Sequence, residues 1–269
     1  MIDIHSHILP GLDDGSSAME ESIAMLRMAA AFGTTDIVAT PHANMQFAFD
    51  PADVERRIAE LQEAAGDVVR IHYGCDFHLT PENIDDALRA PGKYSINHRG
   101  YLLVEFSDGF IPKTTGEIFT AMRNAGICPI VTHPERNRLL QKKIEDLEAW
   151  VEQGCCLQVT AQSLLGLFGT HAKEFSHTLM ERRLVHFLAS DAHDLKHRTT
   201  DLKPAWQYVE EHYGGDMARR LFIDNPQSAL DGIPLTRVRS RGRKKSWFSF
   251  FSQRSEASGR NAGAALASR

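Results

Sequence analysis

Met1-Ile-Asp-Ile-His-Ser-His7 opens the chain with a short apolar strand that ends in two histidines. Because alternate side chains of a strand lie on one face, both imidazoles are expected on the same face, where they suit chelation of one cation. Five further predicted strands also end in an imidazole or a carboxylate. These strand ends are Thr40-Pro41-His42, Gly74-Cys75-Asp76, Val104-Glu105, Thr132-His133-Pro134 and Ser190-Asp191-Ala192-His193.

Short β-branched runs alternate with longer helical patterns, which is typical of a parallel α/β fold. The predicted strands are Ile2–His5, Asp36–Thr40, Val68–Tyr73, Tyr101–Glu105, Ile127–Thr132, Cys156–Val159 and Val185–Leu188. Ser17 and Glu20 predict a capping box for the first helix, and Asp50 before Pro51 predicts the start of the second. An open doubly wound sheet fits this alternation as well as a barrel does. The polar strand ends meet at one mouth only in a barrel, and we therefore predict a closed (β/α) barrel.

Five histidines and four carboxylates are thus expected at the C-terminal mouth of the strands. Each one alone also fits a structural role, and Asp14 alone fits a turn. Together they would be electrostatically unfavourable without cations, so the set indicates a metal site. The predicted ligands are His5, His7, Asp14, His42, Asp76, Glu105, His133, Asp191 and His193.

The size of this set indicates two or three divalent ions. Zinc takes about four ligands and manganese or magnesium about six, so nine groups exceed the needs of one ion. Mixed imidazole and carboxylate ligands without thiolate point to Mn, Fe or Zn. We interpret the other histidines as structural or surface residues, with His78 the least certain because it lies two residues past Asp76.

The composition of the 269-residue chain is that of a globular protein, with 42% hydrophobic and 24% charged residues. No apolar run reaches the ~18 residues that span a bilayer, and the N-terminus lacks the features of a signal peptide. The four cysteines form no Cys-x-x-Cys pair, and none begins the phosphate loop of a cysteine phosphatase. We therefore expect a cytoplasmic protein with reduced thiols.

The charge divides the chain into two predicted parts, a domain over residues 1–236 and a disordered tail over 237–269. The tail holds nine Lys or Arg and one Glu, whereas the domain holds 21 basic and 34 acidic residues. A domain this acidic is unsuited to binding nucleic acid, because it would repel the phosphate backbone. Six basic residues in Arg237–Lys245 precede the aromatic stretch Trp247–Phe251. This pattern favours peripheral contact with the inner face of the membrane, with a terminus of no function or a nucleic-acid arm as alternatives.

The motifs together resemble the PHP (polymerase and histidinol phosphatase) superfamily. They are His5-x-His7, Asp13-Asp14-Gly15, Thr40-Pro41-His42, Glu105, Thr132-His133-Pro134-Glu135-Arg136 and Ser190-Asp191-Ala192-His193. The first, fifth and last are most similar to the bacterial manganese-dependent tyrosine phosphatases of capsule and exopolysaccharide synthesis. The resemblance spans residues 1 to about 235 and implies a distorted seven-stranded (β/α) barrel with a trinuclear centre. It also implies manganese, with Fe, Zn or Co as alternatives.

The resemblance also implies how the ligands divide among three ions. One ion would take His5, His7 and Asp191, and another would take Glu105 and His133, with Asp76 bridging the two. The third would take Asp14, His42 and His193. The family usually has Glu at position 76 and often a second histidine at position 43, where this chain has Asp76 and Ala43. Both differences from the family affect the expected metal occupancy and the expected rate of catalysis.

The hypothesis for the mechanism is attack on a phosphoryl group by a hydroxide that bridges two ions. Arg136 and Arg198 are candidates to bind the phosphoryl oxygens, because guanidinium makes bidentate contacts with phosphate. The resemblance implies a phosphotyrosine substrate on a membrane-associated tyrosine kinase. Two alternatives stay open, a phosphatase of small molecules such as histidinol phosphate, and a non-catalytic regulator that binds phosphotyrosine. The sequence leaves the oligomeric state undetermined.

Overall fold

The computed structural model describes residues 1–235, which form an α/β fold with parallel strands. The strands in these residues are β1 Ile2–Ser6, β2 Asp36–Ala39, β3 His42–Ala43, β4 Arg70–Tyr73, β5 Asp76–His78, β6 Tyr101–Glu105, β7 Cys128–Thr132, β8 Cys156–Thr160 and β9 Phe187–Ala189. The helices are α1 Met19–Ala31, α2 Pro51–Ala65, α3 Pro81–Arg89, α4 Thr115–Asn124, α5 Ile144–Glu152, α6 Ala161–Leu165, α7 Thr170–Glu181, α8 Lys203–Tyr213, α9 Gly215–Arg219 and α10 Asn225–Asp231. The predicted tail, 237–269, lies outside the described residues.

The two predicted helix starts had different outcomes. At α2, the Asp50 side chain accepts a hydrogen bond from the Ala52 N–H and Pro51 lies in the first turn, as predicted. At α1, the N-cap is Ala18 and makes no side-chain cap. Ser17 instead binds Glu21 through its backbone N–H (2.9 Å) and its hydroxyl (3.0 Å). The predicted capping box between Ser17 and Glu20 is therefore wrong.

The strands of residues 1–235 form two parallel sheets. One has the order β1-β2-β4 and the other β3-β5-β6-β7-β8-β9. A bridge between Ser6 and Ala192 links the end of β1 to the segment after β9. There the His7 N–H donates to the Ala192 carbonyl and the Asp191 N–H to the His5 carbonyl, both at 2.8 Å. The carboxyl ends of β1 and β9 therefore lie side by side.

Nine strands are present where seven were predicted, because two short strands that were not predicted, β3 and β5, follow the ends of β2 and β4. Pro41 separates β2 from β3, and it carries no N–H for a ladder. Gly74 and Cys75 separate β4 from β5. A Cβ on Gly74 would lie 2.6 Å from Val38 Cγ1, so only glycine permits this close approach between neighbouring segments. The parallel α/β class is confirmed, and a closed seven-stranded barrel stays a prediction.

An apolar layer lies on the strand faces that lead to the polar ends. Tyr101 and Leu103 of β6 are buried in it and precede Glu105 on the same face, since strand side chains alternate. Phe187 and Ala189 of β9 lead in the same way to Asp191. The opposite faces pack on the helices, for example around Phe119 and Trp150. No helix within residues 1–235 is long and apolar enough to span a bilayer.

Candidate metal centre

All nine predicted ligands lie together, in five overlapping groups found among the described residues. In each group the potential ligand atoms lie within 4.8 Å of one another. The groups are His7, Asp14, His42 and His193; His5, His7 and Asp76; His5, His133 and Asp191; His42, His78 and Glu105; and Asp76, Glu105 and His133. Residues that are up to 188 positions apart in the sequence therefore share one site at the strand ends.

The two histidines of β1 present their Nε2 atoms to this site. The Nδ1 N–H of His5 donates to Gln158 Oε1 (3.1 Å), and that of His7 donates to Asp13 Oδ2 (2.6 Å). Because both acceptors are oxygens, each Nδ1 carries a proton and each Nε2 faces the site. The two Nε2 atoms lie 3.3 Å apart. Such second hydrogen bonds are typical of histidines that bind metal.

The two aspartates in the loop after β1, Asp13 and Asp14, have different positions relative to the cluster. Asp13 supports the site, since its carboxylate accepts from the Gly15 N–H (3.0 Å) and the His42 N–H (3.1 Å) in addition to His7. Asp14 faces the cluster, with its Oδ1 3.3 Å from His42 Nε2. Sequence reasoning named only Asp14. The supporting position of Asp13 follows from the fold of the loop and has no signal in the sequence beyond its adjacency.

A second part of the cluster surrounds the end of β6. Glu105 contacts His78 directly, and its Oε1 lies 3.7 Å from His133 Nε2. Asp76, which is fully buried, has its Oδ2 3.2 Å from His42 Nδ1. The structure thus places His78 in the cluster, against its interpretation as a structural residue. The spacing of two residues from Asp76 along β5 was the available signal, as it was for His5 and His7.

The carboxylates hold protons on some of the imidazoles. Burial alone would lower the pKa of His5, but the charges of Asp191 and Asp76 outweigh burial and raise it to about 9. Burial also opposes protonation of His42, yet its contacts with Asp14 and Asp76 raise its pKa to about 11. A metal ion at these atoms would replace protons, so metal binding is expected to weaken as the pH falls.

Other imidazoles of the cluster are held neutral. Burial, reinforced by the charge of His193, lowers the pKa of His7 to about 4. Burial and the Arg136 guanidinium hold the pKa of His133 well below its usual range. Neutral imidazole is the form that binds metal. These two side chains are therefore ready to act as ligands at neutral pH.

The hydrogen bonding of the buried nitrogen and oxygen atoms in the cluster also indicates that they bind divalent ions. Several buried polar atoms of the cluster make no well-directed hydrogen bond, although some lie close to one another; they are His42 Nδ1, both Asp76 oxygens, Glu105 Oε2 and His193 Nε2. Leaving a buried polar atom unpaired costs about 1–3 kcal/mol, more when it is charged. Five such atoms in one place would be a large cost in a folded protein. Coordination of cations by these nitrogen and oxygen atoms would remove it.

The two predicted arginines also lie at the site, where both contact Asp191. Arg136 Nη1 and Arg198 Nη2 each donate to Asp191 Oδ2, the latter at 2.5 Å. The guanidinium of Arg136 stacks on the Phe168 ring at 4.4 Å from its centroid. Both groups therefore fix the carboxylate of a predicted ligand and remain next to the cluster. Arg198 Nε is buried without an acceptor.

Two of the candidate ligands have left-handed backbone conformations. His133 has φ 30° and Asp191 has φ 52°. For residues other than glycine this region costs of order 1–3 kcal/mol and is found mainly at functional sites. His133 directly follows β7 and Asp191 lies two residues past the end of β9. These conformations aim the two side chains at His5, which belongs to the same group.

Comparison with known proteins agrees with this geometry. Residues 1–231 match the family described as capsular polysaccharide synthesis, CpsB/CapC. The chain is 35% identical to the tyrosine-protein phosphatase YwqE of Bacillus subtilis, over 81% of this chain and 87% of that protein. It is 31% identical to the tyrosine-protein phosphatase CpsB of Streptococcus agalactiae, over 86% and 98%.

A solved structure from work on YwqE of Bacillus subtilis and CpsB of Streptococcus pneumoniae, described as metal-dependent tyrosine phosphatases, superposes with a TM-score of 0.83. The sequences are 32% identical, and the match covers 89% of this chain and 98% of the other. The family match over residues 1–231 includes every strand end that contributes to the cluster. By sequence and by fold, the chain belongs to the CpsB/CapC family of capsular polysaccharide synthesis.

Proposed function

We propose that the protein is a metal-dependent protein-tyrosine phosphatase. The observation that carries the proposal is the set of buried nitrogen and oxygen atoms that converge without well-directed hydrogen bonds at the strand ends. The relatives YwqE and CpsB, both named tyrosine-protein phosphatases, support the assignment of phosphotyrosine as the substrate. We further propose that this phosphotyrosine belongs to a membrane-associated tyrosine kinase of capsule or exopolysaccharide synthesis, and that the enzyme acts in the cytoplasm.

Two or three ions, with manganese preferred, would be shared among the nine ligands. His5, His7 and Asp191 would hold one ion, Glu105 and His133 a second, with Asp76 between them, and Asp14, His42 and His193 a third. The contact of His78 with Glu105 adds a tenth donor beside the second set. Bound divalent ions would lower the pKa of water to ~7 and polarise the phosphoryl group.

The protein's own residues would bind and orient the phosphate ester. Arg198 has a buried Nε–H without an acceptor, which can donate to a phosphoryl oxygen. Arg136 uses Nη1 for Asp191, so its other N–H groups are free for the same purpose. Tyrosine phenolate, with a pKa of ~10, departs more readily than an alkoxide, so a strong general acid is not needed.

The fold would support this arrangement of ligands if the two sheets together form one closed barrel. We propose that β2 with β3, and β4 with β5, each form one bent strand of a distorted seven-stranded (β/α) barrel. The pairing of β1 with β2 on one side and its bridge to Ala192 on the other supports this proposal. Such closure would hold strand ends from both sheets at one mouth.

The decisive experiment measures phosphate release from a phosphotyrosyl peptide with and without Mn²⁺. We expect activity that a chelator abolishes and Mn²⁺ restores, together with bound metal by elemental analysis. Glu105→Gln should reduce kcat at least ~100-fold, since it removes an ionised ligand. Glu117→Gln, on the exposed face of α4, is the matched control and should be unaffected.

Three outcomes would contradict the proposal. Faster turnover of histidinol phosphate than of any phosphotyrosyl peptide would indicate a phosphatase of small molecules. Phosphotyrosine binding without turnover in the metal-loaded protein would indicate a regulator. Full activity of a preparation that elemental analysis finds free of metal would refute the mechanism itself.

A further inference from the structure

A basic groove lies beside the candidate metal centre. It has a volume of about 700 Å³, and we define it by Arg136, Arg138, Lys142, Phe168 and residues 169–172. No carboxylate lines it. This is notable because acidic residues outnumber basic ones by 34 to 21 in residues 1–236.

Two of the three positive charges of the groove, those of Arg138 and Lys142, are not neutralised within residues 1–235, whereas Arg136 pairs with Asp191. Arg138 and Lys142 are exposed, and neither forms an ion pair within residues 1–235. The helix α7 starts at Thr170 in the wall of the groove, and its N-cap, Gly169, supplies no side-chain acceptor. The positive end of the helix dipole therefore adds to the two side-chain charges.

The groove adjoins the metal centre at Arg136. One end of this guanidinium donates to Asp191 in the cluster, and its flat face lies on the Phe168 ring that forms the groove wall. An extended chain whose phosphotyrosine reaches the cluster would therefore place neighbouring residues in the groove. One residue of extended chain spans about 3.3 Å, so a cavity of this size accepts a few residues.

We propose that the groove binds acidic residues that flank the phosphotyrosine of the substrate. Arg138 and Lys142 would pair with Asp or Glu side chains, and the N-terminus of α7 would add attraction for negative charge. This inference rests on the proposed phosphatase function and adds a sequence preference to it. Because Arg138 and Lys142 lie outside the predicted machinery, their loss should leave the hydrolysis of neutral substrates unchanged.

The test compares phosphotyrosyl peptides that carry a run of Glu, or the matching run of Gln, on either side of the phosphotyrosine. When the run lies on the side of the phosphotyrosine that enters the groove, we expect the wild-type kcat/KM to be about tenfold higher for the Glu peptide than for the Gln peptide. At high salt this ratio should fall towards one. Arg138→Gln and Lys142→Gln should each reduce this ratio about threefold, and the double variant should nearly abolish it. Arg27→Gln, which removes an exposed charge on α1, should keep it.

A binding measurement separates failure of this inference from failure of the proposed function. A dye-labelled Glu peptide with Phe in place of phosphotyrosine is titrated with protein and followed by fluorescence anisotropy. Loss of its binding in the Arg138→Gln variant supports the groove even if no peptide is hydrolysed. Equal kcat/KM for Glu and Gln peptides on both sides, or a preference that both variants retain, would overturn the inference while leaving the phosphatase assignment intact.

Discussion

Replacing Asp13 with asparagine should weaken metal binding while sparing the rate of the fully loaded enzyme. Asp13 is absent from the proposed ligand set, but its carboxylate orients His7, which belongs to two of the groups. The amide is nearly isosteric with the carboxylate. The substitution therefore tests the orientation of a ligand without removing any proposed ligand.

The magnitude follows from the hydrogen bonds around Asp13. Its Oδ2 accepts from His7 Nδ1 and the His42 N–H, and its Oδ1 accepts from the Gly15 N–H. Asparagine keeps the first two through its oxygen but turns an NH₂ group towards the Gly15 N–H. One unsatisfied buried donor costs about 1–3 kcal/mol. Rotation of the amide would satisfy Gly15 but turn the NH₂ group towards His7 Nδ1. Either orientation therefore shifts the loop or the His7 ring, and we expect roughly a tenfold to 100-fold loss of Mn²⁺ affinity.

The assay is the phosphatase rate against free Mn²⁺, supported by equilibrium dialysis. Asp13→Asn should reach a maximal rate near that of wild type at higher Mn²⁺. Asp14→Asn, which removes a proposed ligand, should keep a lower rate at saturation. Melting in the presence of chelator checks that both variants fold. An Asp13→Asn affinity within about twofold of wild type would refute the supporting role of Asp13.

Three further predictions concern the fold and the loop of the site. Gly15→Ala brings a Cβ into contact with the His7 carbonyl, so Mn²⁺ affinity by dialysis should fall at least ~10-fold. Phe119→Ala, at a fully buried position against Trp150, should lower the free energy of unfolding by about 3–5 kcal/mol in urea titrations. Burial lowers the pKa of His186 to about 4, so between pH ~6.5 and this value the unfolded chain binds a proton that the folded chain does not. The stability contributed by neutral His186 should therefore fall by about 1–2 kcal/mol from pH 7 to pH 5, so the His186→Gln variant should lose about that much less than wild type over the same range.

The fold class followed from the alternation of strands and helices, but the integrity of the strands did not. The segments around Pro41 and Gly74 were interpreted as strand ends, because β-propensity does not show that a short second strand follows each of them. The break at Gly74 depends on its approach to Val38, a contact between segments distant in sequence. Likewise, Glu20 had the spacing of a capping box, yet Glu21 reaches Ser17 once the loop is folded.

The candidate ligands were predictable because each follows a recognisable strand, and parallel strands bring their ends together. The residues that orient these ligands could not be predicted, since Asp13 and Gln158 accept hydrogen bonds from His7 and His5 through contacts that no local sequence pattern specifies. His78 could have been found, because it shares with Asp76 the alternation that identified His5 and His7. The contacts of the two arginines with Asp191 could not be predicted from the sequence, which indicated Arg136 and Arg198 only as candidates to bind the phosphoryl oxygens.

The left-handed backbone at His133 and Asp191 has a consequence for how this chain can change. At His133, glycine or asparagine would adopt the observed angle with less strain. At Asp191 either replacement would also remove the carboxylate that pairs with Arg136 and Arg198, and two unpaired guanidinium groups would cost more than the relieved strain. Selection of a mutant library for heat resistance alone should therefore enrich glycine or asparagine at position 133 but not at position 191, whereas selection for catalysis should keep both wild-type residues.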